Sequence, residues 1–298
     1  MKKSWLLTLV LIPILLVGCT KNASQTPTLP SATQEGEPVV EATFTPTSLP
    51  LAVRVNNDGV LIEEFEADLL RLQAALTELG KEMSSQEQKD LVINNYIEEL
   101  LLIQGAAEAG FTASDQEVQA RIDKMVADLG SQDALTQWQS DNFYTDESFR
   151  VALKRQIAAA WQRDAIVNAV SQTAEQTHAR QLFFKHEANA NEALSQLNNG
   201  VEFTTLAFQQ DRTLGGDLGW FPRGMLTQPE VEEAAFALQV GETSGVIKSS
   251  LGYHILNIID RNQNQPLSTE ARLMLQQLAL DDWIEAARAK STIEILVP

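Results

Sequence analysis

One cysteine in 298 residues rules out an intramolecular disulfide framework. Three histidines without a second cysteine leave no plausible zinc set. No glycine-rich phosphate loop of the P-loop or dinucleotide type is present, so no cofactor is expected. Basic residues are scarce, 22 against 40 acidic ones, for a formal charge of -18. That balance excludes nucleic acid as a partner, because replacing phosphate counterions needs Lys and Arg. It also excludes broad electrostatic attachment to anionic lipid. An acidic surface serves solubility and can attract basic, unfolded chains. The apolar share, 44%, is ordinary and sufficient for sizeable cores, and the length suits about two domains.

The one cysteine has a telling place. Lys2 and Lys3 precede an apolar run from Trp5 to Val17 that is too short to span a membrane and reads as a secretory signal. It ends in Leu16-Val17-Gly18-Cys19, which resembles the lipobox of bacterial lipoproteins. The resemblance implies a signal peptide over residues 1–18, cleavage before Cys19 and diacylglyceryl transfer to its thiol. Two acyl chains suffice for stable anchoring. The expected location is the extracytoplasmic side of a bacterial cell membrane. Residues 19–50 are rich in Ser, Thr and Pro and read as a disordered tether.

Residues 51–175 have mainly helical patterning. Val53–Val60 reads as a strand and turn around Asn57-Asp58-Gly59. Phe65, Leu69, Leu72 and Leu76 then recur at helical spacing. Ser84 with Glu87 and Ser114 with Glu117 have the capping-box pattern, and Thr145 can cap a longer helix. No His or Cys lies between residues 51 and 170, and the acidic residues there are read as solvated. The apolar stripes serve either as core or as a groove for unfolded chain.

The most specific signal lies in residues 176–262. Its parts, in order, are His178-Ala179-Arg180, Gly215-Gly216-Asp217-Leu218-Gly219-Trp220-Phe221, Glu232-Glu233-Ala234-Ala235-Phe236-Ala237-Leu238, Gly241-Glu242-Thr243-Ser244 and Gly252-Tyr253-His254-Ile255. Together they resemble the parvulin family of peptidyl-prolyl isomerases. The preceding strand and helical array resemble the opening of PrsA- and SurA-like foldases. The resemblance implies an α+β architecture: a mostly helical N-terminal chaperone-like domain, and a parvulin (FKBP-like) domain with an antiparallel sheet and helices. Residues 263–298 would form a helix and strand that return to complete the N-terminal domain, with Ile293–Val297 beside Val53–Val55.

Residue by residue, the resemblance makes Asp211 the acidic group facing the substrate amide, His254 the histidine of the last strand, and Met225, Leu226, Val231 and Phe236 the apolar wall of a proline pocket. Gln181 stands where the family has a second histidine, and Val231 where it usually has Phe. The Asp211–Gly215 segment is shorter than the family's loop. Gln181 can donate and accept hydrogen bonds but cannot titrate, which bears on rate more than on fold. The residues alone leave open whether His254 serves the site or the sheet, and whether Asp211 merely begins a turn. His178, three residues from Gln181, should lie on the opposite strand face and outside the site. The implied partners are unfolded secreted polypeptides and, through Cys19, lipid. Three functions remain: an isomerase acting on X-Pro bonds, a holdase with a weak or inactive parvulin domain, and an assembly factor using that domain for docking.

Overall fold

The computed structural model describes residues 50–297. The signal, Cys19 and all of the tether except Pro50 lie outside the described residues. Among the described residues, no helix is long and apolar enough to cross a membrane.

The helical part opens with β1 (Leu51–Val55) and β2 (Asp58–Leu61), joined through Asn56 at φ +55. Five helices follow: α1 (Ile62–Glu78), α2 (Ser85–Glu108), α3 (Asp115–Leu129), α4 (Gln132–Asp141) and α5 (Asp146–Ala169). Their starts follow from side-chain chemistry. Ser84 Oγ accepts from Glu87 N–H while a Glu87 carboxylate oxygen accepts from Ser84 N–H, satisfying otherwise orphan amides. Ser114 with Glu117 repeats the arrangement, and Thr145 Oγ1 accepts from Ser148 N–H to start α5.

The isomerase-like part follows as β3 (Thr173–Phe184), α6 (Glu187–Asn198), α7 (Phe203–Gln210), β4 (Asp217–Pro222), α8 (Pro229–Ala237), β5 (Ile247–Lys248) and β6 (Tyr253–Pro266). The four strands form an antiparallel sheet in the order β4-β3-β6-β5. Two apolar clusters cover it. Ala179, Leu256 and Ile258 pack with α8, while Leu182 and Ile255 pack with α6 and α7. The β3–β6 pair extends beyond the segment 176–262 that carried the sequence signal, as far as Thr173 against Pro266. The extension is polar and lacks an apolar alternation. Gln176, only 2% exposed, stabilises it by donating its amide to the Gln265 and Pro266 carbonyls.

The chain then returns through α9 (Thr269–Lys290) and β7 (Ile293–Ile295). β7 pairs antiparallel with β1, Val53 opposite Ile295, completing a sheet in the order β2-β1-β7. Trp283 and Ala287 of α9 pack on the cluster formed by Val53, Phe65, Ile97 and Leu101. The first and last described elements therefore share one core, which is the completion expected from the sequence.

The acidic residues of the helical part are not all solvated as expected. Glu64, Asp68 and Glu99 converge with Tyr96, Arg71 and Arg155 where α1, α2 and α5 meet. Arg155 pairs with Glu64 at 3.0 Å, Arg71 pairs with Asp68, and Tyr96 donates its phenolic proton to Asp68. Burial drives the Glu99 carboxyl up to about 7, with Arg155 opposing and Asp68 and Glu64 reinforcing the rise. The helical patterning placed these groups on polar faces, but the packing of three helices brings them together and partly buries them.

Candidate active site

β3 and β6 place Gln181 opposite Leu256 and Phe183 opposite His254. Alternation along the strands sends Ala179, Gln181 and Phe183 to the face that carries α8. There His254 is 4% exposed and bonded on both ring nitrogens. Nδ1 lies 3.2 Å from Gln181 Oε1, and Nε2 lies 2.8 Å from Ser249 Oγ. The Leu251 N–H donates to Ser249 Oγ. One proton arrangement satisfies every group: Leu251 N–H to Ser249, Ser249 O–H to Nε2, and Nδ1–H to Gln181. The imidazole is then neutral. Burial holds its pKa below the ordinary histidine value, with Glu230 of α8 opposing. The Phe183 ring lies against it, centroids 5.1 Å apart.

Ser249 was not singled out from the sequence. Nothing marks its side chain as near His254 until the Ser249–Gly252 turn closes, with Ser249 N–H donating to the Gly252 carbonyl. A second bridge joins this turn to the start of α8, Ser250 Oγ donating to Gln228 Oε1 at 3.0 Å.

The four apolar wall residues meet in one cluster with Phe221, Leu256 and Ile258. Val231 and Phe236 are packed, 3% and 6% exposed, while Met225 and Leu226 are only partly buried. The accessible part of the wall is therefore the β4–α8 loop. Two amides of that loop, Gly224 and Leu226 N–H, donate to the two carboxylate oxygens of Glu232.

Asp211 has different neighbours. Its carboxylate accepts from the N–H groups of Thr213, Leu214 and Gly216, and these bonds hold its pKa below the usual carboxylate range. It makes no hydrogen bond to Gln181 or His254. Its influence on them runs through the loop it ties. Gly216 accepts from Gln181 N–H at 2.8 Å, and a Cβ on Gly216 would lie 2.1 Å from the Gln181 carbonyl oxygen. The glycine, at φ +65, is thus required both by conformation and by contact.

His178 bonds Asp217 through Nε2 at 2.7 Å, with its ring against Trp220. Burial raises the Asp217 pKa, but bonds from Gly219 N–H and His178 outweigh it and hold the carboxyl low. His178 therefore secures the glycine turn and makes no bond to the His254 chain. His186 is exposed at the start of α6. Among the described residues, no cluster of His, Cys, Asp and Glu could hold a metal ion.

The site therefore offers a buried neutral imidazole chain beside an apolar wall. Rotation about an X-Pro bond needs no covalent chemistry. The barrier, about 18–20 kcal/mol, comes from amide resonance and falls when a twisted amide is bound better than a planar one.

Two family models match adjoining parts of the chain. Residues 1–163, more than half of it, match the SurA-like N-terminal domain, and residues 164–272 match the PPIC-type PPIase domain. The chain belongs to the parvulin-type peptidyl-prolyl cis-trans isomerases that carry a SurA-like N-terminal domain. Foldase protein PrsA of Geobacillus sp. (strain WCH70) is 27% identical over 199 residues, 63% of this chain and 70% of the relative. A parvulin-like PPIase of Rickettsia prowazekii is 26% identical over 253 residues, 81% and 85% of the two chains. The crystal structure of the peptidylprolyl isomerase PrsA from Bacillus cereus is 21% identical, with a TM-score of 0.43 over 71% of this chain and 83% of that one.

Proposed function

We propose that this protein is a membrane-anchored, extracytoplasmic foldase that isomerises X-Pro bonds of secreted or envelope proteins. The observation that carries the reading is the hydrogen-bonded chain Ser249–His254–Gln181 beside the apolar wall of Met225, Leu226, Val231 and Phe236. The wall takes the proline ring, and burial keeps water from the twisting amide. His254 remains neutral and orients the polar side of the site. Asp211 supports this geometry by holding the loop that seats Gly216 on Gln181. The helical part holds unfolded segments, and its acidic character favours basic ones. The anchor is the diacylglyceryl group on Cys19, and the Ser/Thr/Pro-rich stretch after it spaces the folded part from the bilayer.

A second reading, a holdase with little isomerase activity, is favoured by Gln181, which cannot supply the family's second imidazole. The deciding experiment measures both activities on one preparation: suppression of client aggregation, and protease-coupled isomerisation of an X-Pro peptide. Acceleration of both supports the foldase. Suppression without acceleration selects the holdase. If Gln181→His then restores isomerisation without altering suppression, the missing imidazole limits the rate.

A further inference from the structure

The β4–α8 loop that supplies Met225 and Leu226 is held on two sides. On its inner side, the Glu232 carboxylate takes the Gly224 and Leu226 amides. On its outer side lies α9. A Cβ built on Gly224 would fall 2.6 Å from Leu278 Cδ1 and 3.9 Å from Leu275 Cδ2, so the leucine methyl rests on the glycine α-carbon. Gly224 has φ +85 and no side chain to hold the helix away.

α9 is itself fixed by the helical part. Gln276 donates to the Val167 carbonyl of α5 at 3.0 Å, and Arg288 pairs with Glu98 of α2. Trp283 and Ala287 enter the core shared by β1, α1 and α2. The helix bearing Leu278 is thus anchored to the client-holding part while that leucine rests on Gly224, the residue just before Met225 and Leu226.

We infer that Leu278 is a positioning residue for the isomerase reaction, holding the Met225–Leu226 loop in its proline-binding geometry from the helix that completes the helical domain. The inference rests on the reading of Met225 and Leu226 as pocket residues. It makes proline affinity depend on how the isomerase unit is seated on α9, so a client that disturbs α9 would alter binding at the pocket. Loosening the loop adds an ordering cost that each bound proline must repay.

The test is steady-state isomerisation of a proline tetrapeptide by the full chain. Leu278→Ala should raise KM about three- to tenfold with kcat unchanged, the cost of re-ordering a short loop. Leu278→Met, which keeps the volume, should stay near wild type. Leu273→Ala, on the same helix but with its side chain 62% exposed, should have no effect. Gly224→Ala approaches the contact from the other side and should also raise KM. Adding Leu278→Ala to it should give less than the product of the two effects, because the clash is removed. An unchanged KM in Leu278→Ala, or an equal rise in Leu273→Ala, overturns the inference while the pocket reading stands. A wild-type chain showing no saturable turnover overturns both.

Discussion

Replacing Glu99 by Gln should stabilise the helical part above neutral pH and leave it unchanged in mild acid. Glu99 lies partly buried on α2, with Asp68 and Glu64 of α1 reinforcing its proton and Arg155 of α5 only partly offsetting the rise. Its carboxyl ionises near 7 instead of 4.5, so the folded state binds this proton more tightly than the unfolded chain does. The penalty is absent below about pH 4.5, grows as pH rises, and is complete above about pH 7. At about 1.4 kcal/mol per pH unit the ceiling is roughly 3 kcal/mol. Solvent screening of a partly exposed carboxyl brings the expected gain to about 1–2 kcal/mol at pH 8. Glutamine keeps the shape and removes the charge. Thermal melts of wild type and Glu99→Gln at about pH 4 and pH 8 should coincide at the lower pH and differ by roughly 3–6 °C at the higher one. A difference of equal size at both values, or a lower melting temperature for the variant at pH 8, would refute the assignment of a partly buried, proton-binding carboxyl.

Three further outcomes follow from the site and the N-terminus. Gly216→Ala places a methyl on the Gln181 carbonyl and should cost roughly 2–4 kcal/mol, whereas Gly80→Ala, at a similar φ but with open space around it, should cost only about 1 kcal/mol; denaturant titration of each variant checks the contrast. Isomerase activity should be level from neutral to alkaline pH and fall in acid as His254 takes a proton, because its pKa lies below the ordinary histidine value; a pH–rate profile that instead falls between pH 7 and 9 would speak against a neutral working imidazole. If Cys19 takes the lipid, cells given a labelled fatty acid should mark the wild type and not Cys19→Ser, and equal labelling of the two, or none in the wild type, would count against the lipid anchor.

What could be read in the sequence was local chemistry and ordered motif. The Ser84–Glu87 and Ser114–Glu117 boxes mark helix starts because capping needs only neighbours along the chain. Met225, Leu226, Val231 and Phe236, named from their order after the glycine turn, pack in one cluster. The ends of β3 and β6 were not readable, since the outer pairs are polar and stabilised by Gln176 reaching a backbone far along the chain. Ser249 was missed for a related reason: its bond to His254 exists only once a turn has closed. The acidic cluster was missed because Glu64 and Glu99 lie on separate helices, and no periodicity within one helix records what a neighbour buries. Asp211 was visible as a residue, but the use of its carboxylate on Thr213, Leu214 and Gly216 amides appears only in the folded loop.

In the proposed function the wall and the His254 chain work together as one proline site. The most direct measurement is kcat/KM for an X-Pro peptide in the wild-type chain and in Phe236→Ala, with folding verified by circular dichroism. Phe236 touches Phe221 edge-on and carries the Arg223 guanidinium 4.2 Å above its ring, so its removal empties the wall without touching the imidazole chain. Clear catalysis is expected in the wild type and a loss of at least about tenfold in the folded variant, as for deleting an aromatic side chain from an apolar pocket. Equal rates in the two folded proteins, or a wild type no faster than the uncatalysed exchange, would contradict it.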